Sequence, residues 1–154
     1  MTDYTLLCEQ LRSLAEEERH WLPLLSNASA LLYESLEELN WAGFYLMHGG
    51  ALLLGPFQGK TACIHIPLGR GVCGTAAKAD ETQLVPDVHA FPGHIACDSA
   101  SNAEIVIPLR DAAGEVKAVL DIDSPVFNRF TEMDREGLEA FAREIERAMK
   151  GLEA

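Results

Sequence analysis

The spacing of apolar residues changes twice along this chain, and this change limits its fold more than any other feature. Helical spacing governs residues 5 to 18 and resumes from Pro23 to Leu39, where the proline can open a second helix. From Trp41 the composition becomes that of strands, and helical spacing returns near Thr131. The pattern predicts one α+β domain over residues 1–154, with N- and C-terminal helices flanking a central antiparallel sheet.

The region between these helices contains several short strand-like segments and one long loop. A glycine-rich bend, Gly69 to Gly74, leads into a short predicted helix at residues 75–79. Residues 87–103 read as an irregular loop, and loops of that length in compact domains are usually functional. The predicted strands are residues 41–47, 51–55, 62–67, 84–86, 104–110 and 115–123.

The charge balance excludes several classes of partner. The chain has 12 Lys and Arg against 24 Asp and Glu, which gives a net charge of −12. Nucleic acids and anionic membranes both require clustered basic side chains, so neither is expected as a partner. The N-terminus lacks a basic targeting region, and no stretch approaches the roughly 18 apolar residues of a membrane span. We therefore expect a cytoplasmic protein.

The four cysteines need an explanation, because cytosolic thiols stay reduced unless they take part in redox cycling. Cys8 lies among apolar neighbours of the first helix and is expected to pack in the core. Cys63, Cys73 and Cys97 lie in or beside glycine-rich, irregular segments. Their spacing matches no CxxC motif. These three are the candidate reactive thiols.

Zinc binding is the alternative use of these cysteines. Structural zinc sites draw their ligands from closely spaced chelating pairs. Only Cys63-x-His65 and His94-x-x-Cys97 approach such a spacing. We therefore predict no metal site.

A reactive thiol must ionise, and two of the cysteines have neighbours that favour ionisation. Cys73 is predicted to lie just before the helix that starts near Thr75, where the helix dipole stabilises a thiolate. Cys97 follows His94 by three residues on the long loop. Two or three such cysteines near one pocket indicate an attacking thiol and a resolving thiol.

A cluster of carboxylates follows from the last predicted hairpin. The register of an antiparallel pair must align the apolar sets of the two strands. This alignment places Glu104 on the same face as Asp121 and Asp123, and either favoured register sets Glu104 opposite one of the aspartates. Val106 and Val119 share that face, which argues against the alternative of a merely solvated surface.

Carboxylates this close repel one another, and the repulsion raises the proton affinity of at least one of them. Such a group of acids can bind an ammonium group. It can also hold an acidic proton near neutral pH. Both properties suit an amino-acid substrate.

Five sequence blocks resemble those of the free methionine-(R)-sulfoxide reductases, single-domain enzymes of the GAF fold. The resemblance runs from about Ala30 to the C-terminus and covers the first helix, within residues 1–20, only weakly. One position departs from the family, which commonly has serine where this chain has Ala103. The blocks are Asn40-Trp-Ala-Gly-Phe-Tyr45, Gly55-Pro-Phe-Gln-Gly59, Gly69-Arg-Gly-Val-Cys-Gly74, Phe91-Pro-Gly-His-Ile-Ala-Cys-Asp98 and Leu120-Asp-Ile-Asp-Ser124.

The resemblance implies a thiol mechanism. The Cys97 thiolate would attack the sulfur of free methionine sulfoxide, and an acid from the cluster Glu104, Asp121 and Asp123 would protonate the departing oxygen. Cys97 would remain as a sulfenic acid and condense with Cys63 or Cys73 to a disulfide; the sequence does not choose between these two. Thioredoxin would reduce the disulfide, so NADPH would act only upstream and no cofactor would be bound.

The resemblance also bears on substrate contacts and assembly. Trp41 and Tyr45 are four residues apart on a strand and so share a face, where they would form an aromatic wall against the S-methyl group or simply pack in the core. Phe44 is expected on the opposite face. The amphipathic terminal helices are compatible with a homodimer. A competing interpretation is a non-catalytic GAF sensor that binds a small molecule through a redox-active cysteine switch.

Overall fold

The computed structural model describes residues 1–16, 20–94 and 99–150. The elements of this part of the chain confirm the predicted α+β fold with an antiparallel sheet. The helices are α1 (Tyr4–Ala15), α2 (Trp21–Ser35), α3 (Gly71–Ala79) and α4 (Glu132–Met149), with a 3₁₀ turn at Val88–Ala90. The strands are β1 (Trp41–His48), β2 (Ala51–Gly59), β3 (His65–Pro67), β4 (Gln83–Val85), β5 (Ala103–Arg110) and β6 (Val116–Ser124).

The sheet has the strand order β3-β2-β1-β6-β5-β4, and every neighbouring pair is antiparallel. Strands β1 and β2 form a tight hairpin through Gly49 and Gly50, whose positive φ angles of 60° and 80° suit the two-residue turns that match strand twist. The long connections bring β6 between β1 and β5. The chain segments that carry Trp41, Glu104 and Asp123 thus lie on three adjacent strands at the centre of the sheet.

The two faces of the sheet carry separate apolar cores, since side chains alternate along each strand. One face packs against α1, α2 and α4, and its fully buried members include Phe44, Ile107 and Phe141. The other face carries Trp41 and Val119, among others, and packs against α3 and the segments around it. Both faces are therefore covered, and a polar group placed on either one is removed from bulk water.

The N-terminus of α4 has the capping box that the sequence suggests. Thr131 Oγ1 accepts from the backbone N–H of Asp134, and the Asp134 carboxylate accepts from the backbone N–H of Thr131. The hydroxyl of Tyr4 on α1 donates to the same carboxylate at 2.6 Å. Gly137, one turn further along α4, provides the space for the Tyr4 ring, because a Cβ there would lie 2.1 Å from Tyr4 Cγ.

Several predicted boundaries are wrong. Helix α2 ends at Ser35 rather than Leu39, because Leu36 takes an extended conformation and turns its buried side chain into the same core. Strand β2 continues to Gly59, past Pro56, because the pairing of β1 with β2 shifts between Gly43 and Tyr45 and then resumes. Apolar patterning alone does not reveal such a shift.

Two further boundaries change the position of a cysteine. Strand β3 spans only His65–Pro67, so Cys63 lies in the loop that precedes it. Helix α3 begins at Gly71, so Cys73 lies in its first turn rather than before it. Gly74 permits this early start, since a Cβ there would lie 2.5 Å from the carbonyl oxygen of Pro67.

Within residues 1–16, 20–94 and 99–150, no helix has the length and apolar character that a membrane span requires.

Candidate active site

A cavity lies between the first turn of α3 and the α3-facing side of the sheet. Its empty volume is about 530 Å³ including the part open to solvent, within the range of small-molecule pockets. The cavity combines aromatic, acidic and cationic side chains with a cysteine. Its lining among the described residues is Trp41, Tyr45, Thr61, Ala62, Ile66, Arg70, Gly71, Val72, Cys73, His94, Ser101, Glu104, Asp121 and Asp123.

The three predicted carboxyl groups meet in this cavity. Glu104 pairs directly with Asp123 across β5 and β6, and Asp121 pairs with Val106, so all three acids lie on one face. Glu104 and Asp121 are only 7% and 5% exposed. The predicted register is confirmed, and a merely solvated sheet surface is excluded for these two acids.

Burial determines the protonation of this cluster. Loss of hydration raises the pKa of Glu104 well above its usual value, and the negative charges of Asp121 and Asp123 raise it further. Burial also raises the pKa of Asp121, although hydrogen bonds within the cluster oppose the shift. Asp121 Oδ1 has no hydrogen-bond partner among the described residues. The cluster can thus hold a proton near neutral pH and offer an acceptor to a ligand.

Cys73 is not the thiolate that its position in the sequence suggests. Its thiol is 4% exposed and donates to Glu104 Oε2 at 3.9 Å. Burial raises the pKa of Cys73 well above its ordinary value, and the charges of Asp121 and Glu104 raise it further. These effects outweigh the dipole of the short helix α3, so the prediction of an ionised Cys73 is wrong.

The remaining cysteines occupy different chemical states. Cys63 is disulfide-bonded, whereas Cys8 and Cys73 are free thiols. Cys8 is buried in the helical core, as predicted. The predicted nucleophile, Cys97, lies outside the described residues. The structure therefore distinguishes Cys63 from Cys73, which the sequence left as equivalent candidates.

The two predicted aromatic residues form part of the cavity wall. The rings of Trp41 and Tyr45 stack with their centroids 5.9 Å apart, and Phe57 stacks on Trp41 at 5.1 Å. Trp41 Nε1 donates to the carbonyl oxygen of Lys60 at 3.1 Å, and the Tyr45 hydroxyl donates to that of Cys63 at 2.9 Å. The predicted shared face is confirmed, and both rings are held rigidly.

The sequence analysis did not select three polar residues that line the cavity. Asn40 Nδ2 donates to Ser101 Oγ at 2.9 Å, which ties the residue before β1 to the segment before β5. His94 was considered only as a neighbour of Cys97; burial lowers its pKa, so it is mainly neutral at pH 7. Arg70 precedes α3 as its N-cap residue. The glycine-rich Gly69–Gly74 block was the available signal for Arg70.

Cys73, Glu104 and Asp121 also offer donor atoms that lie within 4.8 Å of one another, close enough to hold a metal ion. A cation would require these groups to release their protons. Burial and mutual repulsion oppose that release, as their raised pKa values show. The donor set thus favours a store of protons over a metal centre.

Comparison with known proteins places this cavity in a family. The GAF domain family matches residues 25–150. The free methionine-R-sulfoxide reductase of Escherichia coli is 51% identical over 146 residues, which cover 95% of this chain and 88% of the relative. The chain belongs to the free methionine-R-sulfoxide reductase family of GAF domains.

Solved structures of this family share the fold throughout. The structure of fRMsr of Staphylococcus aureus in complex with substrate superposes with a TM-score of 0.92 at 51% identity and covers 97% of each chain. The Neisseria meningitidis reductase in complex with its substrate gives 0.90 at 41% identity, covering 94% of this chain and 87% of that one. The family predicted from the five sequence blocks is thereby confirmed.

Proposed function

We propose that this protein reduces free L-methionine (R)-sulfoxide to methionine by thiol chemistry. The observation that carries the proposal is the buried acid cluster of Glu104, Asp121 and Asp123, which lines the same cavity as the stacked Trp41 and Tyr45. Its relatives in Escherichia coli and Neisseria meningitidis are free methionine-R-sulfoxide reductases at 51% and 41% identity. A cavity of this kind suits a small substrate with one polar and one apolar end.

The first step transfers oxygen from sulfur to sulfur. The Cys97 thiolate attacks the sulfoxide sulfur, and an acid protonates the oxygen as the S–O bond breaks. Glu104 is our choice for the acid, because burial and two neighbouring carboxylates keep it protonated. Methionine leaves reduced by two electrons, and Cys97 remains as a sulfenic acid.

The second step restores the nucleophile. We assign Cys63 as the resolving cysteine, whose thiol condenses with the Cys97 sulfenic acid to a disulfide and releases water. Two observations support this choice: Cys63 is disulfide-bonded, and Cys8 and Cys73 are free. Cys97 is the fourth cysteine of the chain. Thioredoxin then reduces the disulfide in the cytoplasm, with NADPH acting upstream and no cofactor bound to this chain.

The cavity also explains how the substrate would be oriented. Asp121 Oδ1 lacks a hydrogen-bond partner among the described residues and can accept from the substrate ammonium group. The rigid rings of Trp41 and Tyr45 offer an apolar surface for the S-methyl group. The carboxyl groups therefore serve two purposes, proton donation and ammonium binding. A homodimer formed through the terminal helices is compatible with this arrangement.

The test supplies the protein with dithiothreitol and racemic free L-methionine sulfoxide and measures the methionine formed. We expect half of the substrate to be consumed, because one epimer reacts. Chiral analysis of the residue should show the (S)-sulfoxide. Complete absence of turnover, with saturable binding of the sulfoxide, would favour the competing GAF sensor.

A further inference from the structure

Arg70 differs from the other arginines in the described parts of the chain. Each of the other six forms an ion pair with a carboxylate. No hydrogen bond or ion pair to a described residue involves the Arg70 guanidinium, although the chain carries twice as many acidic as basic residues. The six pairs are Arg12–Glu144, Arg110–Asp80, Arg129–Asp134, Arg135–Glu132, Arg143–Glu146 and Arg147–Glu144.

The backbone fixes Arg70 at the edge of the cavity. Its N–H donates to the carbonyl oxygen of Pro67 at 3.2 Å, and its own carbonyl oxygen accepts from the N–H of Gly74 at 3.1 Å. Arg70 is exposed and lines the cavity. A permanently charged group is thus available at the entrance to a site that contains three carboxyl groups.

The first turn of α3 adds two hydrogen-bond donors beside Arg70. The N–H of Gly71 donates to the carbonyl oxygen of Gly93, and that of Gly74 to Arg70, as the first turn closes. The N–H groups of Val72 and Cys73 have no acceptor in residues 1–16, 20–94 and 99–150, and both residues line the cavity. Free amides at the first turn of a helix bind anions.

The floor of the same cavity carries the opposite charge. Asp121 is buried, and its Oδ1 atom has no hydrogen-bond partner among the described residues. A ligand with only an anionic group would be repelled by these acids and by the net charge of −12. A ligand that carries both an ammonium and a carboxylate group satisfies both ends of the cavity.

We propose that Arg70, with the amides of Val72 and Cys73, binds the α-carboxylate of a free amino-acid substrate. The inference rests on the proposed function and supplies a physical reason for a preference for free over peptide-bound methionine sulfoxide. A methionine within a peptide has a neutral amide at this position, which cannot form the charge-assisted pair with Arg70. Arg70 would then determine specificity without taking part in the transfer of oxygen.

The test compares free L-methionine (R)-sulfoxide with its α-carboxamide, which keeps the ammonium group and lacks the carboxylate. We expect Arg70→Ala to lower kcat/KM for the free acid at least tenfold, mainly through KM, and to change that for the amide by less than twofold. Arg70→Lys should retain part of the preference. Arg147→Ala, at an exposed arginine of α4, is the matched control and should leave both values unchanged.

Equal losses for acid and amide, or no loss in Arg70→Ala, would overturn the proposal. Calorimetric titration with L-methionine and L-methioninamide measures the same preference without turnover. If the unaltered chain reduces neither sulfoxide but binds L-methionine more tightly in an Arg70-dependent way, the reductase assignment fails and the carboxylate site stands. If it shows no preference between these two ligands, the carboxylate site is wrong.

Discussion

Glu104 and Asp123 are direct cross-strand neighbours, two acidic residues opposed in the antiparallel register of β5 and β6. Opposed like charges destabilise a sheet, and burial makes their ionised forms still less favourable. The arrangement is tolerated if one of the groups carries a proton. A protonated acid in a cavity beside aromatic rings is what the reduction of a sulfoxide requires.

Replacing the proton donor should slow the reaction without unfolding the protein. We expect Glu104→Gln to lower kcat about 100-fold, the lower end of the range for loss of a general acid. The amide keeps the shape of the carboxyl group, so the thermal unfolding midpoint should not fall. Steady-state kinetics would show this, with the exposed Glu115→Gln as the control. Unchanged turnover in Glu104→Gln would exclude Glu104 as the acid.

The same residue should make stability depend on pH in a defined direction. Because the folded-state pKa of Glu104 is raised above the unfolded value near 4.5, its contribution to stability is complete below that pH. The contribution is lost as the pH rises through the folded-state pKa. The free energy of unfolding should therefore decline less in Glu104→Gln than in the unaltered protein between pH 5 and pH 8. Denaturant titrations at both pH values measure this difference, and a steeper decline in the variant would contradict it.

The three cysteines of the proposed site should respond differently to substitution. Cys97→Ser should abolish turnover even with dithiothreitol, since the nucleophile is lost. Cys63→Ser should retain one turnover with pre-reduced protein and lose recycling by thioredoxin. Cys73→Ser should keep recycling, because the buried Cys73 thiol is bound to Glu104 and is not ionised. A recycling defect in Cys73→Ser and none in Cys63→Ser would reverse the assignment of the resolving cysteine.

The contact between α1 and α4 gives a prediction about stability. A Cβ at Gly137 would collide with the Tyr4 ring, which is anchored by the 2.6 Å hydrogen bond from its hydroxyl to Asp134. We expect Gly137→Ala to lower the free energy of unfolding by about 1–3 kcal/mol, despite the higher helix propensity of alanine. In a Tyr4→Ala background the same substitution should be stabilising. A stabilising effect in both backgrounds would show that the contact is loose.

The sequence predicts features that depend on short-range pattern. The register of β5 and β6 followed from the alternation of apolar residues and a tight turn, and this placed Glu104 beside the two aspartates. The capping box at Thr131 depends on residues three positions apart. Such patterns are complete within a short stretch of chain.

Features that depend on distant segments were predicted incorrectly or not at all. The local sequence of Cys73 indicates a helix N-terminus and an ionised thiol, but the acids that oppose ionisation come from β5 and β6. The role of Arg70 likewise depends on what it does not touch, which requires the positions of all the acidic side chains. The shift in β1 at Gly43 leaves no mark in the apolar pattern.

One measurement tests the central claim most directly. Pre-reduced protein is mixed with one equivalent of free L-methionine (R)-sulfoxide, quenched by alkylation, and mapped by mass spectrometry. Our account predicts one methionine per chain, one new disulfide that joins Cys63 to Cys97, and alkylated Cys8 and Cys73 after unfolding. Methionine formed with Cys97 still alkylatable, or a disulfide that contains Cys73, would contradict the account.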